Sequence, residues 1–261
     1  MVNRPEISVL ITSHNQYLTL FDAIGSVLAQ DTDIDFEVII VDDGSTDGSQ
    51  QIIARSAAHD ARIKPFYNQH QGIMATYATG FSNCYSKYIA ICDGDDYWTD
   101  QRKLQKQYEY MERNAACGAC FADVVDQRGV KICDVPDKIS YTMLLRSGYP
   151  MTPTMFFRRV WLETYLDIKK RFYIWDYPLY LLIALYSRID HIGEVMAVYR
   201  RATETFTCTR SRRRRLQYIL GYSDIRFYFL RKYSYDGHVV MYLCYRFIRD
   251  IASLVLGRWN G

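Results

Sequence analysis

Three short apolar runs in this chain each stop in a polar or acidic tail, and that repetition narrows the folds open to it. Ile7 to Ile11 runs into Thr12, Ser13, His14 and Asn15. Phe36 to Val41 runs into Asp42, Asp43, Gly44, Ser45, Thr46 and Asp47, and Tyr88 to Cys92 into Asp93, Gly94, Asp95 and Asp96. None shows a helical period, and runs of this length suit strands covered on both faces. Between them Leu20, Ile24, Val27 and Leu28 fall at helical spacing, Ile52, Ile53 and Ala57 suggest a second helix capped by Ser45 or Thr46, and Gly72 to Phe81 a third. Ile63 to Tyr67 reads as a weaker strand. Strand alternating with helix implies an α/β fold with a mainly parallel sheet and helical crossovers. In such sheets ligands bind beyond the carboxyl ends of the strands. One acidic loop is a turn; several polar loops at one sheet edge make a site. Three aspartates in DGDD repel one another, which folding alone does not favour, whereas Mg²⁺ or Mn²⁺ takes carboxylate oxygens and shares them with substrate phosphates. An isolated DGDD reads equally well as a solvated acidic turn.

Several classes fall away. No GxGxxG follows the first strand and no P-loop is present, which disfavours a dinucleotide fold and a P-loop NTPase. A net charge of +3 over 261 residues is too small to point to nucleic acid. Seven cysteines, an odd number without framework spacing, predict a reducing compartment. Cys117 and Cys120 form a CxxC without a second pair, so buried thiols are favoured over zinc. The first apolar run is too short for a signal peptide, and nothing approaches the roughly 20 apolar residues of a membrane span. The expected location is cytoplasmic, with a peripheral position on the inner face of the cell membrane as the alternative.

At these residues the chain resembles glycosyltransferases of family 2, of the inverting, bacterial surface-polysaccharide type with the GT-A fold. ISVLITSHN resembles the family's opening strand, FEVIIVDDGSTDGS its nucleotide-binding segment and KYIAICDGDDYW the strand carrying its DxD metal motif. TMFFRR resembles a later strand, and IWDYPLYLLIAL with IGEVMAVYRR the catalytic segment and the strand after it. The ordered set covers roughly the first 205 residues and is far more specific than any one motif.

The resemblance implies an enzyme that moves a hexosyl or N-acetylhexosaminyl group from a nucleotide-sugar donor, a UDP-sugar, to a hydroxyl of a glycan or lipid-linked saccharide. Thr12 and His14 sit where the family contacts the nucleobase; His14 replaces the usual tyrosine. Asp43 matches the aspartate that accepts from uracil N3, with Asp42 beside it. Asp93 and Asp95 form the DxD and complete the donor-binding set. Asp95 and Asp96 are the expected ligands of Mn²⁺ or Mg²⁺. Asp176 matches the catalytic base, with Tyr173, Trp175 and Tyr177 as the neighbours that would raise its pKa. From its position alone Asp176 reads as a helix cap, and Asp47 as a turn or cap residue. The chain departs from the family in two places. The histidine of the family's YR-x-H segment is absent after Tyr199, Arg200 and Arg201. Met74, Ala75, Thr76 and Tyr77 stand where the family's middle helix carries an arginine. Trp98 reads as core or helix entry rather than an acceptor contact.

The expected organisation is a catalytic domain over 1–205, with its nucleotide-binding part about 1–110 and its acceptor part about 111–205. A basic, amphipathic helical tail follows over 206–261. Two tail helices are predicted, Arg212 to Tyr233 and His238 to Leu256, separated by Asp236-Gly237. Basic amphipathic helices either lie on a membrane surface or pack on the domain and expose their arginines. Two other readings compete: a sugar nucleotidyltransferase, disfavoured by the lack of a glycine-rich basic loop in TSHNQ, and a catalytically silent nucleotide-sugar-binding scaffold, kept open by the missing histidine.

Overall fold

The computed structural model describes residues 4–147, 152–168, 171–172, 174–200, 211–233 and 237–255. Tyr173, Arg201, Asp236 and Leu256, named above, lie outside the described residues. The three apolar runs form strands β1 (Ile7–Ser13), β2 (Phe36–Asp42) and β4 (Tyr88–Asp93), and the weaker segment between them forms β3 (Ile63–Tyr67). These pair in parallel in the order β3-β2-β1-β4. Helices α1 (Leu20–Leu28), α2 (Ser49–His59) and α3 (Ile73–Asn83) make the crossovers. The sheet continues with β8 (Phe156–Arg158), β6 (Cys117–Asp126), β9 (Arg188–Tyr199) and β5 (Tyr97–Trp98), with β7 (Lys138–Ile139) on β9. β8 runs antiparallel to both β4 and β6, so the sheet is mixed beyond β4.

The pleat sorts the strand residues onto two cores. Ile7, Val9, Ile11, Val38, Ile40, Tyr88, Ala90 and Cys92 face one side, packed with α1, α2 and α4 (Lys103–Arg113). Leu10, Ile39, Val41, Ile89 and Ile91 face the other. There they meet α3, α5 (Tyr141–Ser147), α6 (Trp161–Ile168) and α7 (Asp176–Tyr186). Each fully buried Ile, Leu or Val on these faces contributes about 1.5–3 kcal/mol. The same period of two fixes where the aspartates beyond the strands point.

Two tail helices form, α8 (Arg212–Tyr233) and α9 (Gly237–Val255). The inner face of α8 joins the second core through Ile225, Phe229 and Leu230, and α9 adds Val239 and Leu243. Arg226 is buried and donates to the Tyr177 hydroxyl at 3.1 Å. No helix among the described residues is long and apolar enough to cross a membrane. Cys117 and Cys120 are buried free thiols on β6, and Trp98 is core, its indole N–H donating to the Pro153 carbonyl at 2.8 Å.

Lys103, the first residue of α4, is fully buried. Its ammonium lies 3.9 Å over the Trp98 ring and donates to Gln107 Oε1 at 2.7 Å. Burial pulls its pKa down to about 7. Between pH 7 and the ordinary lysine value the folded chain then holds fewer protons than the unfolded one, so stability rises with pH in that window and is flat below it. Denaturant unfolding at pH 7.0 and 8.5 is expected to show the wild type gaining about 1–2 kcal/mol relative to Lys103→Met. Parallel pH dependence of the two proteins would disprove the assignment.

Candidate active site

The crevice opens outside the carboxyl ends of β1 and β4, where strand order reverses. Thr12 lies directly opposite Asp93 in the parallel register. Both share the pleat side of Leu10 and Ile91, which is the α3 and α7 side. Thr12 Oγ1 donates to Asp93 Oδ1 at 3.1 Å, and the Tyr77 hydroxyl donates to the same oxygen. The Tyr77 ring stacks on Trp175 at 3.5 Å between centroids, and the Trp175 carbonyl is held at 2.7 Å by the Tyr165 hydroxyl. Trp175 immediately precedes Asp176. A continuous chain of contacts therefore runs from the DxD carboxylate to the expected base.

The electrostatics agree with that proximity. Burial pushes Asp93 up to about 7, with the charges of Asp95 and Asp176 adding to the effect. Burial likewise raises Asp176, partly offset by the backbone N–H of Tyr177 and the Thr152 hydroxyl. Asp176 opens α7, with Pro178 in the first turn, and accepts from the Tyr177 N–H at 2.7 Å. The residue as a whole is half-buried rather than sealed in the core.

The second acidic loop divides by pleat. Asp42 continues the side of Val38 and Ile40, away from α3, and is fully buried. Its oxygens accept from the Ser45 hydroxyl, the Ser45 N–H at 2.9 Å and the Gln50 amide at 2.8 Å, so it shapes the loop from beneath. Neither Ser45 nor Thr46 caps α2. The N-cap is Gly48, at a φ of 100°, and Asp47 before it accepts from the Ser49 N–H at 3.0 Å. Asp43 faces the crevice and clamps the loop after β3, accepting from the Gln71 and Gly72 amides at 2.7 and 2.8 Å.

Thr12, His14, Gln16, Asp43, His70 and Thr76 are among the residues lining a cavity of about 220 Å³ at this edge. His14 stacks on His70 at 4.4 Å, and its Nδ1 lies 2.8 Å from the Asp43 carbonyl oxygen. His70 and Asn15 hold positive φ values of 41° and 52° without being glycine, strain of the kind found at ligand clamps. Two contributors, His70 and Tyr77, escaped the sequence reading. The signal for His70 was present: β3 also ends in a polar loop, Asn68-Gln69-His70-Gln71-Gly72.

Burial raises Asp96 well above the usual carboxylate range, with Asp95 and Asp93 adding to it. Asp95 is raised by burial too, opposed by the Arg200 guanidinium. Asp96 Oδ1 accepts from the Arg200 N–H at 2.8 Å, while its buried Oδ2 has no partner. The Arg200 side chain reaches Asp22 at 2.5 Å and lies over Tyr97. Arg200 thus stands against the acidic turn in the segment where the family's histidine is missing. An orphaned carboxylate oxygen among mutually repelling carboxylates fits a hard, oxygen-liking cation such as Mg²⁺ or Mn²⁺. The aspartates of this turn do not close around one point: among the described residues, the trio with ligand atoms within 4.8 Å of one another is His14, Asp43 and His70. A cation at Asp95 and Asp96 would therefore draw its remaining oxygens from a bound ligand or water.

Comparison with known proteins agrees with this architecture. The family model described as Glycosyl transferase family 2 matches residues 8–163. An uncharacterized protein of Mycobacterium tuberculosis is 33% identical over 204 residues, 75% of this chain and 58% of the relative. The chain thus spans somewhat over half the length of that curated relative. Among solved structures, S. aureus TarS 1-349 in complex with UDP-GlcNAc superimposes with a TM-score of 0.74 at 17% identity. That match covers 95% of this chain and 73% of TarS 1-349. The mannosyltransferase PcManGT from Pyrobaculum calidifontis, in complex with GDP-Man and Mn²⁺, gives 0.66 at 16% identity, covering 98% of this chain and 74% of that one. At such identities the likeness shows the fold, a central sheet flanked by helices as in GT-A glycosyltransferases.

Proposed function

We propose, from the premise that this chain belongs to glycosyl transferase family 2, that it is an inverting, metal-dependent glycosyltransferase. It takes a hexosyl or N-acetylhexosaminyl group from a UDP-sugar and passes it to a hydroxyl of a glycan or lipid-linked saccharide. The observation that carries this reading is the run of contacts from Asp93 through Tyr77 and Trp175 to Asp176. It joins a donor-binding carboxylate and a base candidate within one crevice.

Thr12, His14 and Asp43 receive the nucleobase, with His14 offering an aromatic face and Asp43 an acceptor for uracil N3–H. Both Asp43 oxygens already serve backbone amides, yet each keeps a second lone pair. Asp42 acts beneath them by setting the loop. Asp93 and Asp95 hold the donor's ribose and diphosphate end, and Asp95 and Asp96 hold Mn²⁺ or Mg²⁺, which supplies charge neutralisation for the departing nucleoside diphosphate. Asp176 takes the proton of the acceptor hydroxyl as its oxygen attacks the anomeric carbon opposite the leaving diphosphate. One bond forms as the other breaks, so the centre inverts. A pKa raised by burial makes Asp176 a stronger base than an exposed aspartate. The protein's contribution is positioning and electrostatics. The other residue-level assignments, and the division into a nucleotide part, an acceptor part and a tail, belong to this proposal.

The test is calorimetric binding of UDP, GDP and CDP, with Mn²⁺, with Mg²⁺ and with chelator. UDP is expected to bind only with metal and to weaken at least about ten-fold in Asp95→Ala. Tight GDP or CDP binding would overturn the uracil assignment at His14 and Asp43. No nucleotide binding under any condition would overturn the donor site.

A further inference from the structure

We propose that the α8–α9 hairpin is a docking face for an anionic lipid bilayer. The observation is an amphipathic helix turned partly inside out. α9 buries Val239, Leu243 and Leu254 against the body of the protein, yet its outer side is also apolar. Met241 is 67% exposed, Tyr245 64%, Ile248 67% and Val255 70%. Their spacing of four, three and seven residues puts them on one stripe, with exposed Ala252 between Ile248 and Val255. From Met241 to Val255 the stripe rises about 21 Å, and a solvated helix face has no need of it. The helix is too polar overall to span a membrane, which leaves the interface plane as the place where such a stripe is favourable.

The charge beside the stripe identifies the partner. α9 packs on α8, and Val239 and Leu243 near the start of α9 share a core with Ile225, Phe229 and Leu230 near the end of α8, so the pair is antiparallel and the first turns of α8 lie toward the second half of α9. Those first turns carry exposed Arg212, Arg213 and Arg214. Three cations at a helix N-terminus repel one another and oppose the helix dipole, so the fold gains nothing from them. A surface of anionic headgroups does, at a substantial gain per arginine. In an antiparallel pair the arginine cluster lies toward the C-terminal end of the apolar stripe, a combination that suits an interfacial helix pair.

The hairpin also connects to the catalytic crevice. Tyr222 of α8 packs on Tyr177, the residue after Asp176, at 4.8 Å between centroids, and burial, with the Asp176 charge adding to it, raises the Tyr222 pKa. A bilayer on this face brings an acceptor carried on a lipid toward the base. Binding itself does not depend on the transferase reading, so its test needs no substrate and the two fail separately.

The full chain is mixed with vesicles of phosphatidylcholine alone and of phosphatidylcholine with 30% phosphatidylglycerol, then floated on a density gradient. The expected result is binding to the anionic vesicles, weakened by 0.5 M NaCl. Binding should fall at least ten-fold in Tyr245→Asp/Ile248→Asp and in Arg212→Gln/Arg213→Gln/Arg214→Gln. All five positions are exposed, and an unchanged unfolding temperature verifies the variants. No binding to anionic vesicles would overturn the proposal. So would binding that both variants retain, or a concentration-dependent dimer in sedimentation that Tyr245→Asp/Ile248→Asp abolishes while the wild type ignores vesicles.

Discussion

Asp176→Asn is expected to lower turnover by about 10²–10⁴-fold, the usual range for losing a positioned general base, while leaving UDP binding within about two-fold. The amide keeps the carboxylate's shape and its place at the start of α7, but it cannot take the acceptor's proton. The same substitution is expected to stabilise the fold. Burial raises the Asp176 pKa in the folded chain. An acid whose folded pKa lies above its unfolded value destabilises increasingly as pH rises from the unfolded value through the folded one. Above the unfolded value the wild type carries that cost; asparagine is neutral at every pH and avoids it. Each kcal/mol recovered raises the unfolding temperature by about 2–4 °C in a chain of this size. Transfer assays, nucleotide calorimetry and thermal unfolding read the three effects. Retained turnover would remove Asp176 from the chemistry, whereas lost turnover together with a lower melting temperature would make it a structural residue.

Gly94→Ala is expected to cost about 10²-fold in kcat/KM, an effect of geometry rather than of lost chemistry. Gly94 is buried between Asp93 and Asp95, and its N–H donates to the Thr12 carbonyl at 3.0 Å. A Cβ there would sit 2.8 Å from that same carbonyl oxygen and 3.1 Å from Leu20 Cδ1. Backbone of a central strand cannot yield, so the DGDD turn must move outward, and Asp95 and Asp96 with it. Overpacking of this kind also costs about 1–3 kcal/mol of stability. The signature is a donor KM and metal requirement that worsen together. Unaltered kinetics would mean that the turn's position against β1 does not set the donor site.

The strands carrying the site were legible because a buried parallel strand is written as an apolar run, and β1, β2 and β4 are such runs. β6 was harder. Cys117 to Asp126 mixes small, acidic and apolar residues, so the sequence marks its two cysteines as buried thiols, which they are, without marking the strand that carries them. Asp42 and Asp43 are the same residue type in one loop. Only the pleat separates them, sending one under the sheet edge and the other into the crevice. Tyr77 was hidden for a different reason: a tyrosine on the apolar side of a helix looks like core, and it is core apart from its hydroxyl. His70 was within reach, since β3 obeys the same rule of strand followed by polar loop. The Asp93–Asp176 proximity was not, because residues 83 positions apart meet through the Tyr77 ring of α3 and the Trp175 ring just before α7.

The way α8 is seated has a consequence for the evolution and engineering of the protein. Ile225, Phe229 and Leu230 close the same core that supports α7, and buried Arg226 is hydrogen-bonded to the residue after Asp176. The C-terminal hairpin is therefore no accessory that recombination could append to one enzyme and delete from the next. Shortening the chain before α8 would unroof the helix that begins at Asp176. Drift in the outward residues of α8 and α9 is free of that constraint, so the surface they present can change its partner while the inner face remains under selection for the crevice.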